Sequence, residues 1–511
     1  MKFAKYNHLI QEKKIYDFWE KNNLFRPIVK KSKKTFSIVI PPPNITGKLH
    51  MGHALNNSLQ DVLIRYYRMN GYETLWQPGT DHAGIATQAI VEKNLSKENL
   101  DKNIIGRDKF LEKVWEWKDE SGGQILDQLK KLGCSCDWSR SRFTMDSQMS
   151  KAVTKVFVSL YNKKLIYKDK KLVNWDTKLQ TAISDLEVVQ NEVQSQLYYI
   201  NYSIVDSKDQ ITIATTRPET MMGDTAIAVH PKDERFKKFV GKFAIVPIVN
   251  RKIKIIEDYY ADPDQGTGAV KITPAHDFND YDVGKRNKLE IINILEKNGK
   301  INKNGIKSYI GLDRFEARKK LISQLKDLNI LEKIESIKNK VPYGDRSNTI
   351  IEPLLTEQWF VDAKSLSKKS IQTVKTKKTI FFPENWTNTF FQWMENIEPW
   401  CISRQIWWGH RIPVWYGHDG KIFTAVSEQE AKILAKKYYK NKTFKLVQET
   451  DVLDTWFSSA LWPFATLGWP EKTNSLKKFY PTSVLVTGFD IIFFWVARML
   501  MMGNHFLKDT P

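Results

Sequence analysis

Two histidines, His50 and His53, stand three residues apart around Gly52, directly after an apolar run and a proline-rich loop. If a helix begins there, its first backbone N–H groups lack partners and carry partial positive charge, so the segment 47–53 is suited to bind a phosphate. Both imidazoles would lie on one helical face and could stabilise negative charge developing on phosphorus. Gly52 would let a flat ring or a backbone approach closely. Taken alone, H-x-G-H is more readily structural than catalytic, and metal binding is a further alternative, although no third ligand is evident nearby.

Strand-like and helical patterns surround these histidines. The run TFSIVI at 35–40 is rich in β-branched and aromatic residues, which predicts a buried strand that ends at Pro41. The run ETLWQPGTDHAG at 73–84 predicts the next strand and its exit loop. Between them, apolar residues at helical spacing predict a helix with one buried stripe, formed by Leu55, Leu59, Val62, Leu63 and Tyr66. This order predicts an α/β domain with a doubly wound, Rossmann-like parallel sheet.

The texture of the sequence changes twice along the chain. An amphipathic helix is predicted near the start, from YNHLIQEKKIYDFWEKNNLF. Short strand-like runs then follow one another, including LYYINYSI, ITIATT, AIAVHP and FAIVPIV, and later tryptophan-rich segments lead to SVLVTGFDIIFFWVARML, predicted as another strand, loop and helix. We therefore predict the N-terminal helix and the first half of the α/β domain at 1–188, an inserted strand-rich domain at 189–340, and the second half at 341–511.

Composition limits the class of protein. With 511 residues, of which 41% are hydrophobic, the chain can form two to four globular domains. A formal net charge of +21 favours a polyanionic partner, although general solubility explains it equally well. Three cysteines cannot form a disulfide framework, and the opening MKFAKYNHLIQEKK is unlike a signal peptide. The stretch IIFFWVARMLMMG is too short for a membrane span and contains Arg498, so we predict a soluble, cytoplasmic protein.

The wider context of the two histidines resembles the class I aminoacyl-tRNA synthetases. PPPNITGKLHMGHA and PGTDHAGIATQ carry the resemblance, and the HIGH signature of that class corresponds here to His50, Met51, Gly52 and His53. Within the class, the chain is most similar to the valine-specific branch, whereas the isoleucine and leucine branches carry different residues around their signatures. Further matching segments follow in the same order along nearly the whole chain: NWDTKLQTAISDLEV, ATTRPETMMGDTAIAVHP, GTGAVKITPAHDFNDYDVG, DRSNTIIEPLLTEQWFV, WCISRQIWWGHRIPVWY, DVLDTWFSSALWPF and TGFDIIFFWVARM.

This resemblance implies a ligase, acting as a monomer, that activates valine with ATP and Mg²⁺ and passes the valyl group to tRNA(Val). His50 and His53 would be the catalytic residues that contact the ATP phosphates. Asp81 would pair with the valine ammonium group; without the family match it would be interpreted as a helix cap. The remaining ATP-binding residues would be Asn44, Gly52, Gly488 and Asp490, and the apolar wall of the valine pocket would be Pro42, Trp456, Ile491 and Trp495.

The resemblance also implies that the inserted domain edits mischarged tRNA. Valine and threonine have nearly the same shape, so an apolar pocket separates them by only about 1–3 kcal/mol, and this pair is the standard example of a case that needs a second, hydrolytic site. Asp277 would bind threonine attached to tRNA, with water as the nucleophile; an Asx-rich surface turn and paired-carboxylate hydrolysis are the alternatives. The implied editing residues are Thr215, Arg217, Thr220, Lys271, Thr273, Asp277 and Asp280.

The chain departs from its family at two places. Many relatives hold a structural zinc near the segment PVWYGHDGKIF, but Gly417 and His418 stand here without cysteines, so we predict no zinc; Cys134 and Cys136 are predicted to be inert packing. The second class signature, KMSKS, is not found before Pro511. The resemblance therefore implies the N-terminal portion of a longer synthetase, incomplete for activation. Three alternatives remain open: a related synthetase for isoleucine, another nucleotidyltransferase with H-x-G-H, and a catalytically silent tRNA-binding fragment.

Overall fold

The chain folds into two compact units. The computed structural model describes residues 7–27, 34–440, 442–507 and 509–511, so the first six residues of the charged opening lie outside the described residues. One unit, here called the split unit, combines Met1–Tyr167 with Trp359–Pro511. The other, here called the inserted unit, is Lys168–Gln358.

The elements of the described residues are given in chain order. The α-helices are α1 His8–Lys21, α2 Met51–Met69, α3 Gly84–Lys97, α4 Lys102–Ile105, α5 Arg107–Lys131, α6 Ser147–Asn162, α7 Phe278–Arg286, α8 Arg314–Asp327, α9 Ala363–Lys375, α10 Trp386–Glu395, α11 Glu428–Tyr438, α12 Thr455–Ser459, α13 Trp462–Ala465, α14 Asn474–Phe479 and α15 Arg498–Phe506. The strands are β1 Thr35–Val39, β2 Glu73–Gln77, β3 Gly79–Thr80, β4 Arg142–Phe143, β5 Ile166–Asp176, β6 Thr181–Ala182, β7 Val188–Ile204, β8 Gln210–Thr215, β9 Ala226–Val229, β10 Phe243–Ile245, β11 Lys252–Glu257, β12 Ala269–Ile272, β13 Leu331–Gly344, β14 Glu352–Val361, β15 Trp400–Cys401, β16 Ser403–Arg404, β17 Val414–Tyr416, β18 Ile422–Thr424, β19 Val447–Gln448 and β20 Val452–Leu453.

The centre of the split unit is the parallel pair of β1 and β2. Their register runs from Thr35 opposite Glu73 to Val39 opposite Gln77, and α2 connects them. All five residues of β2 are buried, as expected for a parallel strand covered on both faces. The predicted order of strand, helix and parallel strand is therefore confirmed.

The predicted strand SVLVT is wrong as a regular strand. The segment lies beside β1 through a single parallel bridge between Ile38 and Val484. Ser483 explains why the ladder does not continue: its backbone N–H donates to the Ser37 carbonyl (2.8 Å), but the Ser37 N–H is accepted by the Ser483 hydroxyl oxygen (3.0 Å) instead of a backbone carbonyl. The chain then enters a short 3₁₀ turn, Phe489–Ile491, and a π-helical turn, Ile492–Ala497, that leads into α15.

The predicted helix after the histidines is confirmed as α2, but its predicted buried stripe is wrong. Four of the five stripe residues are exposed, Leu55 by 65%, and only Leu63 is partly buried. The face that packs inward is largely polar, because Gln60 accepts a hydrogen bond from the Trp76 indole of β2 (2.9 Å). The exposed stripe comprises Met51, Leu55, Leu59, Val62, Tyr66 and Met69.

In helix α1, as in α2, apolar residues that a buried face would contain are exposed. An amphipathic helix is present as predicted, yet its apolar residues Ile10, Ile15 and Phe18 are exposed. The residue that attaches the helix is Tyr16, which is buried and whose hydroxyl donates to the Cys134 carbonyl at 2.5 Å. Polar anchoring of this kind leaves no signal in hydrophobic periodicity.

The inserted unit is built around one twisted sheet. Its strands lie in the order β12-β9-β11-β10-β7-β13, and β8 pairs with β7. Pairing is antiparallel except between β9 and β11. Strand β8, which ends at Thr215, also contacts β12, which carries Lys271. The predicted runs LYYINYSI, ITIATT and AIAVHP are confirmed as strands, whereas FAIVPIV is a strand only over Phe243–Ile245 and turns at 247–249.

None of the helices in the described ranges is both long enough and apolar enough to cross a bilayer. Helix α15, which contains the last six residues of the apolar stretch noted in the sequence, has nine residues.

Candidate functional site

The two signature histidines sit at the first turn of α2, as the sequence predicts. His50 is the N-cap residue, and its Nδ1 accepts the Gly52 N–H at 3.1 Å. The Nδ1 of His53 accepts the His50 N–H at 3.3 Å, and the two ring centroids are 4.0 Å apart. Because each Nδ1 is an acceptor, each neutral ring carries its proton on Nε2 and can donate it outward. Burial and the neighbouring His50 lower the pKa of His53, which favours this neutral donor form.

Gly52 is required by the position of the His50 ring. A Cβ added at residue 52 would lie 2.9 Å from Cε1 and 3.1 Å from Nδ1 of His50. The flat ring that lies close to Gly52 is that of His50 itself, and the approach of a bound ligand to Gly52 stays a prediction. The loop before α2 is held by α5, since the Trp117 indole donates to the Ile45 carbonyl (2.7 Å) and Gln128 accepts the Leu49 N–H (2.9 Å).

The structure brings Asp81 next to the proline-rich loop. The Asp81 N–H donates to the Pro43 carbonyl (2.8 Å), the Ile45 N–H donates to the Asp81 carbonyl (3.1 Å), and Asn44 and Asp81 form a parallel bridge. This places Pro42, two residues before Asn44, in the segment that flanks Asp81. Asn44, which is predicted to bind ATP, and Asp81, which is predicted to bind valine, are thus neighbours in one backbone pairing.

The Asp81 carboxylate is buried but not isolated. Its Oδ1 accepts the Ala83 N–H at 2.7 Å, and its Oδ2 accepts the Ser459 hydroxyl at 2.5 Å. Burial raises the pKa of Asp81 to about 6, although these two hydrogen bonds favour the ionised form. The carboxylate therefore carries a negative charge at neutral pH in surroundings of low polarity, which suits it to pair with an ammonium group.

An aromatic wall adjoins Asp81 through Ser459. The Trp495 indole N–H donates to the Ser459 carbonyl at 3.1 Å, and Trp495 is almost fully buried. Trp456, on the same helix as Ser459, packs against Phe494 with ring centroids 6.2 Å apart. Ile491 is a partly buried neighbour of the same hydrophobic core. Ser459 itself was not identified from the sequence, because serine in DTWFSSALWPF gives no signal of its contact with a residue 378 positions earlier.

Gly488 and Asp490 lie on an exposed segment that α2 helps to position. The Asn56 side chain, one turn into α2, donates to the Val486 carbonyl at 3.1 Å. Both Gly488 and Asp490 are exposed, and a Cβ at residue 488 would lie 2.4 Å from Asp490 Oδ1. Glycine is therefore required if the Asp490 carboxylate is to fold back over the backbone.

A buried histidine pair behind Asp81 was also missed. His82 is fully buried, its N–H donates to the Thr144 hydroxyl oxygen (2.9 Å), and its Nδ1 lies 2.7 Å from the same oxygen. His410 Nε2 donates to the Thr144 carbonyl at 2.6 Å. Burial holds the pKa of His82 well below its usual value, and the neighbouring His410 adds to this effect. His82 directly follows Asp81 in PGTDHAG, which was the available signal. The sequence could not show that its partners are Thr144 and His410.

In the inserted unit, two predicted editing residues, Thr220 and Thr273, contact the ammonium group of a third, Lys271. Lys271 Nζ donates to the Thr220 hydroxyl (2.7 Å), to the Thr273 hydroxyl (2.7 Å) and to Asp224 Oδ1 (3.3 Å). The Thr273 N–H in turn donates to Asp280 Oδ2 at 2.8 Å. These residues, Thr220, Asp224, Lys271 and Thr273, are called the Lys271 cluster. Asp224 was missed, although it stands in the quoted run PETMMGDTAIAVHP.

Arg217 and Thr215 lie at the edge of this cluster. The Arg217 N–H donates to the Thr215 hydroxyl oxygen (3.1 Å), and the Arg217 carbonyl accepts the Thr220 hydroxyl (2.9 Å). The Arg217 guanidinium donates to the His276 carbonyl (2.8 Å) and pairs with Glu352. The charge of Arg217 is therefore balanced by Glu352, and its side chain links the segment TTRPET to the loop that follows β12.

Asp277 and Asp280 differ in their surroundings. Asp277 is the N-cap of α7, where its Oδ1 accepts the N–H groups of Asn279 (2.8 Å) and Asp280 (3.2 Å). Its side chain is partly exposed. Asp280 is buried, and that burial raises its pKa to about 7. DFND was interpreted either as an Asx turn or as a binding site. The two interpretations are compatible at Asp277, because both capping N–H groups are accepted by the same oxygen, Oδ1.

Within the ranges that the structure covers, no group of three or more His, Cys, Asp or Glu side chains is arranged to hold a metal ion. His418 stacks on Tyr439 with ring centroids 4.9 Å apart. Cys134 and Cys136 are buried, and burial raises the pKa of the Cys134 thiol to about 12. The absence of zinc stays a prediction.

Comparison with known proteins identifies the family. The family model described as tRNA synthetases class I (I, L, M and V) matches residues 14–511. The chain therefore belongs to the class I tRNA synthetases. The resemblance noted from the HIGH signature is confirmed, and the mixed α/β architecture is that of this class.

Curated relatives narrow the similarity to one branch. The chain is 71% identical over 507 residues to a valine–tRNA ligase of Pelagibacter ubique, covering 99% of this chain and 58% of the relative. It is 55% identical to a valine–tRNA ligase of Caulobacter vibrioides, covering 98% of this chain and 57% of the relative. The chain thus spans less than three fifths of these relatives. In fold, it matches the agnB2 LeuRS of Agrobacterium radiobacter K84 with a TM-score of 0.51 at 17% identity, over 99% of this chain and 67% of that one.

Proposed function

We propose that the chain activates valine with ATP to a valyl-adenylate and transfers the valyl group to tRNA(Val). The observation that carries the proposal is the buried Asp81 carboxylate, placed between the proline-rich loop and the Ser459–Trp495 contact. An ammonium ion is a natural partner for such a carboxylate, and an apolar wall suits a branched aliphatic side chain. The names of the curated relatives support valine as that amino acid.

We assign ATP to the N-terminal end of α2. There His50 and His53 offer Nε2–H donors, and the helix dipole adds partial positive charge. Negative charge that develops on the α-phosphate during attack by the valine carboxylate would be stabilised by these donors, and pyrophosphate would leave. Asn44, Gly52, Gly488 and Asp490 complete the proposed nucleotide site. Mg²⁺ enters with the phosphates of ATP, so no side chain is assigned to it.

The experiment for this activity is valine-dependent exchange between ATP and pyrophosphate. Exchange should be supported by valine and should be weaker with isoleucine and threonine at equal concentration. A preference for isoleucine would reassign the substrate, and tRNA binding without any exchange would favour a silent binding fragment. The Asp81→Asn variant serves as the matched control because Asn preserves size and the Ala83 contact while removing the charge.

We further propose that the doubly wound α/β domain, 1–188 and 341–511, is interrupted by an editing domain at 189–340 that hydrolyses threonyl-tRNA. The seven-stranded sheet and every proposed editing residue lie in the inserted unit. Water would attack the ester carbonyl and release threonine and the free tRNA hydroxyl. Asp277, whose side chain is partly exposed, would bind the threonine ammonium group, and Thr215, Arg217 and Asp280 would frame the pocket.

Editing is tested with preformed threonyl-tRNA and valyl-tRNA. The chain should release threonine faster than valine, and Asp277→Asn should slow that release, because Asn keeps the helix cap but loses the charge. Asp313→Asn is the matched control: Asp313 caps α8 of the same unit by accepting the Phe315 N–H at 2.9 Å. Release that is equal for both amino acids, or that slows equally in both variants, would contradict the assignment.

A further inference from the structure

A second buried carboxylate of the split unit, that of Asp454, lies at the start of α12. Its Oδ2 accepts the Trp400 indole N–H at 2.8 Å and faces the guanidinium groups of Arg404 (3.2 Å) and Arg498 (3.6 Å). All four residues are buried. A charge at this depth is stable only when it is paired and hydrogen-bonded, so the contacts from β15, β16 and α15 fix the carboxylate in place.

The other oxygen of Asp454 fixes the first turn of α12. Oδ1 accepts the Trp456 N–H at 3.3 Å, and the Asp454 backbone N–H donates to the Ile402 carbonyl at 2.8 Å. Helix α12 has only five residues, Thr455–Ser459, so it depends on attachments outside itself. Its residues Trp456 and Ser459 adjoin the proposed valine site.

Helix α12 meets the loop that carries Asp81 at both of its ends. At the C-terminal end, the Ser459 hydroxyl donates to Asp81 Oδ2 at 2.5 Å. At the N-terminal end, Thr455 packs so closely on Gly84 that a Cβ at residue 84 would lie 2.5 Å from Thr455 Oγ1. A small shift of α12 would therefore disturb the hydroxyl that stabilises the ionised form of Asp81.

We propose that Asp454 is a positioning residue of the valine site. Held by the Trp400 indole and two guanidinium groups, it sets the orientation of α12 and thereby places the Ser459 hydroxyl against the Asp81 carboxylate. Asp81 pairs with an ammonium group only when it is ionised, so the position of Ser459 controls the affinity for valine and the pH dependence of that affinity. This inference rests on the proposed activation of valine.

Among the described residues, the ionisable neighbours of Asp81 are His82 and Asp454. His82 Nδ1 lies 3.6 Å from Asp81 Oδ1, but burial holds the pKa of His82 well below its usual value, so the ring is neutral at pH 7. Burial and, to a smaller extent, the charge of Asp454 raise the pKa of Asp81 to about 6, whereas the Ser459 hydroxyl opposes this rise. Loosening Ser459 while Asp454 stays ionised should therefore raise the pKa of Asp81 further.

The test is the affinity for valine as a function of pH, measured by titration calorimetry on the full chain. Trp400→Phe removes the indole N–H from Asp454 but keeps every charge, so valine should bind about three- to tenfold more weakly at pH 7. The pH at which half of the affinity is lost should rise above the wild-type value near 6, while ATP affinity should stay within about twofold. Ser459→Ala should produce the same two changes to a larger extent. Asp454→Asn keeps a capping oxygen but removes the charge that holds it, and should weaken valine binding more than Trp400→Phe does.

Two further measurements separate positioning from general stability. Trp359→Phe is the matched control, because it removes an indole N–H from another carboxylate, that of Glu449 (3.2 Å), within the same hydrophobic core. It should leave the valine affinity and its pH dependence unchanged. Trp400→Phe combined with Ser459→Ala should bind valine no more weakly than Ser459→Ala alone, because Trp400 acts through Ser459.

The outcomes separate this inference from the proposed function. A wild-type chain that neither binds valine nor supports valine-dependent exchange would contradict the proposed function. Normal binding and exchange, together with unchanged affinity and pH dependence in Asp454→Asn and Trp400→Phe, would leave that function intact and overturn the role of Asp454. Equal weakening of valine and ATP, or the same loss in Trp359→Phe, would indicate a general loss of structure and would overturn it as well. Where Asp454→Asn does not fold, Trp400→Phe decides.

Discussion

The first turn of α2 and the Lys271 cluster both concentrate polar side chains, but they differ in how many polar atoms already have partners. At α2, His50 and His53 use only their Nδ1 atoms locally, and their Nε2 donors point away from these contacts. In the Lys271 cluster, every hydrogen of Lys271, Thr220 and Thr273 is already donated. One site offers donors at an exposed helix end, and the other offers acceptors within a buried network.

This difference fits the two chemistries proposed for the chain. A triphosphate brings many oxygen acceptors and negative charge, so a site that receives it needs free donors and partial positive charge. A threonyl group differs from a valyl group by one donor, so a site that selects it needs a fixed acceptor. Preorganisation is greater where the ligand feature to be recognised is smaller, since a single hydroxyl cannot reorganise the pocket that binds it.

The largest expected effect is that of His53→Ala on valine-dependent exchange. Losing one donor to developing charge typically lowers the rate about 10²–10³-fold. Valine affinity, measured by calorimetry, should stay within about twofold because Asp81 is unaltered. His8→Ala, at an exposed position of α1, should leave exchange unchanged. A variant that unfolds while its folded fraction keeps full specific activity would identify His53 as a core residue.

The second largest expected effect is that of Asp280→Asn on the pH dependence of the free energy of unfolding. Burial raises the pKa of Asp280 to about 7, above the value near 3.9 expected in the unfolded chain. The wild-type residue therefore contributes most below about pH 4, and this contribution is lost as pH rises through 7. Asn does not titrate. Between about pH 4 and pH 7, the free energy of unfolding of the variant should therefore rise by roughly 2–4 kcal/mol relative to that of the wild type. Urea unfolding at a series of pH values measures the gain, and a constant difference would contradict the buried-charge account.

The third effect is the loss of valine affinity in Asp81→Asn. Removing a charged hydrogen-bond partner of about 1.5–3 kcal/mol should weaken valine binding roughly 10- to 100-fold, while ATP binding stays within about twofold. In the wild-type chain, valine affinity should fall as pH decreases below about 6, because the carboxyl group protonates there. Titration calorimetry of each ligand is the measurement. Equal weakening of both ligands would remove Asp81 from the valine site.

The smallest effect is that of Gly52→Ala. The new Cβ would displace the His50 ring, which lies 2.9 Å away, so exchange should fall about tenfold. Stability should hardly change, because losing the cap costs about 1 kcal/mol and Ala in a helix regains nearly as much. Gly123→Ala in α5, where the Cβ meets open space, is the matched control and should raise stability without affecting exchange. Unchanged exchange in Gly52→Ala would separate the His50 ring from the reaction.

The sequence predicted the elements better than the faces they bury. β1 and β2 are recognisable because short β-branched and aromatic runs end at prolines, and their parallel pairing follows from the helix between them. The buried stripe of α2 was wrong because periodicity reveals a helix but not which side is covered, and here the inward side uses Gln60 and Asn57. The SVLVT strand failed because Ser483 substitutes its side chain for a backbone partner.

The candidate sites depended on a different kind of signal. Asp81 and Lys271 were named by family resemblance, since no periodicity distinguishes a ligand from a cap, whereas His50 was also singled out by its spacing from His53. Ser459 and Asp224 were missed because their roles arise from contacts across 378 and 47 positions of chain. Such contacts leave no local pattern, so hydrogen-bond partners could be assigned only from coordinates.

The close contacts of Lys271 bear on whether its side-chain nitrogen can be acylated. An aminoacyl ester is an acylating agent, and a lysine amine with a free electron pair would attack it. The Lys271 nitrogen is buried and is already in contact with Thr220, Thr273 and Asp224, so these partners stand between it and an incoming ester. If the pocket receives an aminoacyl ester, as proposed, it can thus contain a lysine without being modified by its own substrate. An acylating reagent should label exposed lysines such as Lys237 long before it labels Lys271.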